Sequence, residues 1–138
     1  MGGLVARDYI KIYVSNSVNK LIMIGTPNQG ITTDIYTGCL AATAGTAECM
    51  EMKKGNNFLI QLNSAKISND VKMYTIAGTG CQSGDGISES SSVELSGATN
   101  FKIEGKCSGL FGRDFHTDLL NPQLYPKVLE IIKEILKE

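Results

Sequence analysis

Three short segments contain several apolar residues and end in a glycine. They lie at residues 20–25, 71–78 and 101–105. The first has no alternation of apolar and polar positions, which is typical of a parallel strand buried on both faces. We therefore expect three strands, each followed by a loop.

Two longer segments carry their apolar residues at helical spacing. In residues 123–137 lysines and glutamates cover the opposite face, and Pro122 is expected at the start of the helix. Residues 1–18 also predict a helix, with Gly2 and Gly3 in its first turn, where glycines suit the close approach of another backbone or a ligand. The apolar positions are Leu4, Val5, Tyr9, Ile12 and Tyr13 in the first helix, and Leu124, Val128, Ile131, Ile132 and Ile135 in the second.

The remaining pattern, in residues 31–68, is weaker. Residues 41–52 and 58–62 are predicted as short helices, with a turn at 54–57 between them. The order of elements is then helix, strand, helices, strand, strand, helix. Such alternation predicts an α/β fold with a parallel sheet, and 138 residues suit a single domain.

Composition excludes some classes of function. The chain has 13 basic and 14 acidic side chains, a net charge of −1 and no basic run. Nucleic-acid and anionic membrane surfaces are bound through a positive patch, so we expect neither partner. No apolar stretch approaches the length of a membrane span.

The four cysteines leave several arrangements open. Their spacing is not that of a zinc finger, and one histidine cannot complete a typical mixed site, so we expect no metal. Free buried thiols are one interpretation. The other is a pair of disulfides, Cys39–Cys49 and Cys81–Cys107, of which the second would join the loops after the second and third strands.

Two polar residues follow successive strands. Asp85 lies between Gly84 and Gly86 after the second strand, and His116, the only histidine, follows the third. Each alone has a structural interpretation, because Gly-Asp-Gly suits a turn and a buried histidine usually finds a partner. Together, at one edge of a sheet, they predict the acid and the base of a Ser-His-Asp site.

Several segments resemble lipases of the α/β-hydrolase superfamily, in the order that those proteins have. Residues 1–9 resemble the segment after the nucleophile, where lipases commonly have G-H-S-M-G-G-L-V-A-R. Residues 25–30 are similar to a G-T-P-H-x-G loop, and residues 58–63 also fit. Residues 84–87 resemble the acid loop, and residues 116–120 the histidine loop. Asn28-Gln29 and Ser88 depart from the usual residues of these loops.

This resemblance implies a fold and assigns roles. The chain would be the C-terminal part of an α/β-hydrolase domain, with the last three strands of an eight-stranded sheet. Asp85 and His116 would be catalytic, and the backbone N–H of Met1 would be an oxyanion-hole donor. The nucleophile is missing, because G-x-S-x-G is cut to its last two positions, and Ser15, Ser64 and Ser83 lack that context.

The expected activity belongs to the intact enzyme. The resemblance implies a serine hydrolase of small-molecule acyl esters or lipids without a cofactor, and the chain alone should be inactive. Asp118 could bind calcium, as in some related lipases, but a turn or capping role is favoured. An unrelated α/β binding protein, in which Asp85 and His116 are structural, is a further alternative.

The expected partners follow from the missing strands. Without its neighbour, the strand at residues 21–24 would have an unpaired edge, which favours pairing with another chain or self-association. The chain would then be either a truncated hydrolase or a non-catalytic module that complements a separate N-terminal half.

Overall fold

The computed structural model of the protein describes residues 1–13, 17–43, 46–65, 70–81, 84–107 and 113–138. In this part of the chain, helices alternate with strands. The elements are α1 (Gly2–Tyr13), β1 (Lys20–Ile24), α2 (Thr33–Thr43), α3 (Ala47–Glu51), α4 (Asn57–Ser64), β2 (Lys72–Thr79), α5 (Ser90–Val93), β3 (Thr99–Glu104), α6 (Arg113–Asp118) and α7 (Pro126–Lys137).

The strands form one parallel sheet in the order β1-β2-β3. Lys20 pairs with Lys72 at the start of β1, and Tyr74 pairs with Thr99 at the start of β3. This confirms the predicted α/β fold with a parallel sheet. Because the strands are parallel, the loops that follow them open at the same edge, where open α/β sheets bind ligands.

One face of the sheet is covered by α7. Its apolar stripe buries Val128, Ile131 and Ile135 against strand residues such as Ile76 and Ile103. The start of the helix differs from the prediction, because Pro126 is its first residue, and Pro122 lies in a turn. The residue before a proline is biased away from helical geometry, which explains why Tyr125 ends the turn.

The other face carries α1 and α4. Leu4 of α1 packs with Leu59 and Leu62 of α4. Gly3 allows α1 to lie close to β1 and to the loop after it, because a Cβ there would lie 2.3 Å from Thr26 Oγ1 and 3.0 Å from Met23 Cγ. Close contact was expected at both glycines. Gly3 makes it with the side chains of other residues, whereas a Cβ at Gly2 would meet nothing within 4 Å.

The exposed face of α1 is apolar. The helix buries Leu4, Arg7 and Ile10, whereas most of the residues that predicted it are more than half exposed. These are Val5, Tyr9, Ile12 and Tyr13. The helix is confirmed through Tyr13, and residues 14–16 lie outside the described part of the chain.

The first strand is less buried than its apolar sequence predicts. Only Met23 of β1 is buried. Among the described residues, β1 pairs with β2 alone, so its other edge has no strand beside it there. A strand as buried as the sequence predicts would need another element beside this open edge.

The segment between β1 and β2 was predicted least well. The helix expected at 41–52 is wrong, since α2 begins at Thr33 and α3 is a separate short helix. The expected helix at 58–62 corresponds to α4, which Asn56 caps by accepting a hydrogen bond from the Phe58 N–H. Helices α5 and α6 were not predicted.

Of the two interpretations of the cysteines, the structure contains the pair of disulfides, Cys39–Cys49 and Cys81–Cys107. The first joins α2 to α3, and the second joins the residues that follow β2 and β3. No helix in the described ranges is long and apolar enough to cross a bilayer.

Candidate active site

Asp85 lies in a tight turn beyond β2 and is fully buried. Its Oδ1 accepts hydrogen bonds from the Ile87 N–H at 3.0 Å and the Ser88 N–H at 2.6 Å. The turn chemistry expected of Gly-Asp-Gly is therefore present. It uses only one carboxylate oxygen, which leaves Oδ2 for another partner.

That partner is His116. Its Nδ1 lies 2.8 Å from Asp85 Oδ2, and its side chain is 28% exposed. His116 lies on α6, not in a loop as predicted. A carboxylate can only accept, so the imidazole donates from Nδ1 and presents the lone pair of Nε2. The structure thus brings the two predicted residues into direct contact.

Phe115 fixes the position of His116. It is fully buried in the core beneath the sheet edge and lies with its ring 5.0 Å from that of Tyr125. Gly78 makes room for it, because a Cβ there would lie 2.6 Å from Asp85 Cβ and 2.9 Å from Phe115 Cε1. A rigid apolar anchor thus precedes the reactive residue.

Gly25 closes the same site from β1. Its φ is +58°, and a Cβ there would lie 2.8 Å from His116 Cε1 and 3.0 Å from Asp85 Oδ2. Only glycine adopts this backbone region at low cost and also leaves the space empty. The glycine that ends the first apolar run is therefore part of the site, although the sequence indicated only the end of a strand and the start of a loop.

Ser88 joins the acid turn to β1. Its hydroxyl is buried and donates to the Gly25 carbonyl at 2.8 Å, while its backbone N–H donates to Asp85. The departure noted at Ser88 in the sequence thus adds a hydrogen bond across the site.

A cavity of about 260 Å³ lies beside His116. Its lining is mostly apolar and includes Pro27, Ile31, Ile35 and Ile87. Met1 also lines it, and partial burial lowers the pKa of the Met1 α-amino group below its usual value. The residue predicted as an oxyanion-hole donor therefore shares this cavity with His116.

A second buried polar cluster lies beneath α1. Arg7 donates to Asn28 Oδ1 at 3.0 Å, to Asn63 Oδ1 at 2.8 Å and to the Leu62 carbonyl at 3.3 Å. Asn28, which departs from the usual histidine-containing pair, also donates to the Val93 carbonyl. Burial lowers the pKa of Arg7 to about 10, so the guanidinium stays charged at neutral pH.

No cluster of three His, Cys, Asp or Glu side chains that could hold a metal occurs among the residues that the structure describes. The backbone carbonyl of Asp118 accepts from Asn121 in a turn after α6. This geometry gives Asp118 a place in a turn.

Comparisons with known proteins agree with this fold. A search of curated proteins finds no significant match. Among solved structures, the crystal structure of the Bacillus licheniformis lipase BlEst2 in its mature form is similar, with a TM-score of 0.61 and 16% identity. The likeness covers 92% of this chain and 62% of the lipase, so the chain spans less than two thirds of that protein. At this identity it shows the fold alone.

The family match is direct. Residues 1–102 match the family described as alpha/beta hydrolase of unknown function (DUF915). Asp85 lies within the matched range, and His116 lies beyond it. The three parallel strands and their flanking helices fit part of an α/β-hydrolase fold. The chain therefore belongs to the DUF915 family of alpha/beta hydrolases.

Proposed function

We propose that the protein is a serine hydrolase of acyl esters, and that these 138 residues carry the acid and the base of its triad but not the serine. The observation that carries this proposal is the 2.8 Å contact between the buried Asp85 carboxylate and the only histidine. The side chain of that histidine lines an apolar cavity, and its Nε2 is not used in the contact with Asp85.

The proposed reaction has two steps. A serine hydroxyl attacks the ester carbonyl while His116 Nε2 takes its proton, and the imidazolium then protonates the departing alcohol. A water molecule next attacks the acyl-serine, giving its proton to the same nitrogen, and the serine is released with the carboxylic acid. Asp85 stabilises the imidazolium in both steps by accepting from Nδ1.

Met1 supports the same arrangement. In α/β-hydrolases the backbone N–H after the nucleophile is an oxyanion-hole donor. If Met1 occupies that position, its nitrogen should lie near the reacting carbonyl, and its location in the lining of the His116 cavity fits this role.

Ser88 is the alternative nucleophile within the described chain, because it lines the same cavity. Its hydroxyl donates to the Gly25 carbonyl. A serine whose proton is held by a buried carbonyl is not activated by a base. We therefore assign Ser88 a positioning role and place the nucleophile outside these residues.

The test is ester turnover by the natural gene product that contains these residues. We expect it to hydrolyse p-nitrophenyl butyrate and to be labelled by a fluorophosphonate at a serine other than Ser88. His116→Ala should lower kcat by at least about a thousandfold. Unchanged turnover in that variant would overturn the assignment.

Two controls sharpen this test. Asp118→Asn changes a nearby carboxylate that does not contact His116 and should leave turnover within about twofold. The 138-residue chain alone should not hydrolyse the ester above the rate in buffer. Turnover by that chain with labelling at Ser88 would show that the nucleophile lies inside it.

The alternative is a module that complements a separate chain. The exposed apolar face of α1 and the edge of β1 without a neighbouring strand favour it. In that case the chain should self-associate alone, and it should become monodisperse when a chain that supplies further strands is added. Light scattering measures both states. A stable monomer at high concentration would count against this alternative.

A further inference from the structure

The cavity beside His116 has a wall that is built from one helix face. Ile35, Gly38 and Cys39 of α2 all line it, at positions i, i+3 and i+4. This spacing places the three residues on one side of the helix. Thr33, Asp34 and Thr37 are exposed, so α2 turns its polar residues to solvent. The wall is therefore the less polar face of α2.

This wall belongs to a segment whose parts are linked to one another. The Cys39–Cys49 disulfide joins α2 to α3, and Cys49 is buried. The ends of the segment also meet, since the Ile31 N–H donates to the Met52 carbonyl at 2.8 Å and Ile31 pairs with Lys53. These links hold Ile31, Cys39 and Met52, which all line the cavity, in place relative to one another. This part of the cavity wall is therefore one cross-linked unit.

Little in the cavity can bind a polar ligand. Apart from His116, Ser88 and the Met1 α-amino group, its lining residues are apolar, and the Ser88 hydroxyl already donates to Gly25. Apolar walls beside one reactive polar group suit a ligand with a hydrocarbon chain and one carbonyl group. An acyl group has this composition.

The volume limits the length of that chain. A methylene group fills roughly 30 Å³, about as much as a water molecule in the liquid. A cavity of about 260 Å³ therefore holds about eight such groups. An octanoyl chain would fill it, and a palmitoyl chain would extend beyond it.

We propose that this cavity binds the acyl chain of short- and medium-chain esters, and that Ile35 and Gly38 on α2 set the length limit. The assignment of an ester rests on the proposed function. The binding of the chain itself requires no nucleophile, so the two can be tested separately.

The experiment measures binding of butyrate, hexanoate, octanoate, laurate and palmitate to the natural gene product that contains these residues, below their micelle concentrations. Isothermal titration gives the affinity, and ¹³C-methyl NMR shows whether Ile31, Ile35 and Ile87 respond. We expect the affinity to rise by about fourfold for each added methylene up to octanoate, because each is newly buried. Beyond octanoate the affinity should be nearly constant.

Two variants should move this limit in opposite directions. Ile35→Ala enlarges the cavity, so the rise should continue to laurate. Gly38→Leu fills it, so the rise should stop at hexanoate and octanoate should bind at least tenfold more weakly than in the unaltered chain. Ile60→Ala, which removes a similar but exposed side chain on α4, should leave the profile unchanged.

The outcomes separate the two proposals. A profile without a break at octanoate, or a break that neither α2 variant moves, overturns the assignment of the wall even if turnover depends on His116. Conversely, the expected profile together with ester turnover that survives His116→Ala would leave the binding site intact and overturn the triad.

Discussion

Two buried polar clusters lie near the carboxyl end of β1, and they differ in what they leave free. In the acid–base pair, His116 Nδ1 binds the Asp85 carboxylate, and the His116 side chain lines a cavity. In the arginine network, Arg7 with Asn28 and Asn63, both terminal nitrogens of the guanidinium donate to protein oxygens, and its buried Nε has no partner among the described residues.

The difference distinguishes a structural cluster from a reactive one. Buried polar groups need partners, and a network whose members bond one another holds elements together. Arg7 in this way connects α1 to α4 and to the loop after β1. The acid–base pair satisfies Asp85 fully but keeps an acceptor at His116. Neither burial nor a missing partner alone therefore marks a reactive site, because the buried Arg7 Nε has both. The mark is a proton acceptor on a side chain that lines a cavity.

The largest expected effect is that of Asp85→Asn. The amide oxygen can still accept from Ile87 and Ser88, but its NH₂ then faces His116 Nδ1. The proton should move to Nε2, which removes the base and, in the intact hydrolase, should lower kcat by about 10⁴. ¹⁵N NMR of the single histidine reports the tautomer in the chain itself.

The matched control is Asp118→Asn, a carboxylate two residues after His116. We expect the Nδ1–H tautomer in this variant and in the unaltered chain. If Asp85→Asn also kept that tautomer, the carboxylate would not orient the ring, and the contrast between the two clusters would disappear.

Arg7→Met should have the next largest effect, and on stability alone. The two side chains are similar in length, but Asn28 Oδ1, Asn63 Oδ1 and the Leu62 carbonyl would lose their donor. Leaving such groups unpaired should lower the free energy of unfolding by about 4 kcal/mol. Urea unfolding followed by circular dichroism measures this loss.

For the comparison to hold, Arg7→Met must not change the His116 tautomer in the folded protein. Lys11→Met is the control on the same helix, because Lys11 makes only a loose surface pair with Asp8. It should cost less than about 1 kcal/mol. Equal losses in the two variants would mean that the network adds no stability.

The sequence predicted the fold through its strands and its last helix. The mainly apolar segments at 20–25 and 71–78 predicted β1 and β2 within a residue of their ends, because such segments are typical of strands in a parallel sheet. It failed at α2 and α3, where apolar and polar residues mix without one period. There a disulfide and the pairing of Ile31 with Lys53 hold the segment, and periodicity records neither.

The site was predicted in part for a similar reason. Asp85 and His116 could be found because each follows a strand and carries a titratable group. The role of Gly25 depends on empty space, and that of Arg7 on oxygen atoms more than fifty residues away. Nothing in the helical pattern of residues 1–18 marks Arg7, which is buried and donates to residues of other elements.

Gly25→Ala should have a smaller effect, and it reports on the space that the acid–base pair needs. Alanine at a φ of +58° costs about 1–2 kcal/mol. The Cβ would also press on His116 and Asp85, which adds about 1 kcal/mol or more. We expect a total loss of about 3 kcal/mol in the free energy of unfolding and a shifted His116 resonance.

Gly55→Ala isolates the second contribution. Gly55 has a φ of +81°, but a Cβ there would meet nothing within 4 Å. This variant should therefore lose only the backbone contribution, about 1 kcal/mol, and leave His116 unchanged. If both variants lost the same amount, the close packing of Gly25 against the pair would carry no energy.

Ser88→Ala should have the smallest effect, because it removes one hydrogen bond and keeps the rest of the acid turn. The buried Gly25 carbonyl would lose its Ser88 donor, which should lower the free energy of unfolding by about 1 kcal/mol. The backbone N–H groups of Ile87 and Ser88 still bind Asp85, so the Nδ1–H tautomer of His116 should persist.

Ser64→Ala is the control for this last change, since the exposed Ser64 hydroxyl donates only to Gln61 within its own helix. It should alter stability by less than about 0.5 kcal/mol. In the natural gene product, Ser88→Ala should slow ester turnover by less than tenfold, because a positioning residue supports Asp85 through other bonds as well. A loss of a thousandfold or more would instead identify Ser88 as the nucleophile, and the acid–base pair would then act on a serine of its own turn.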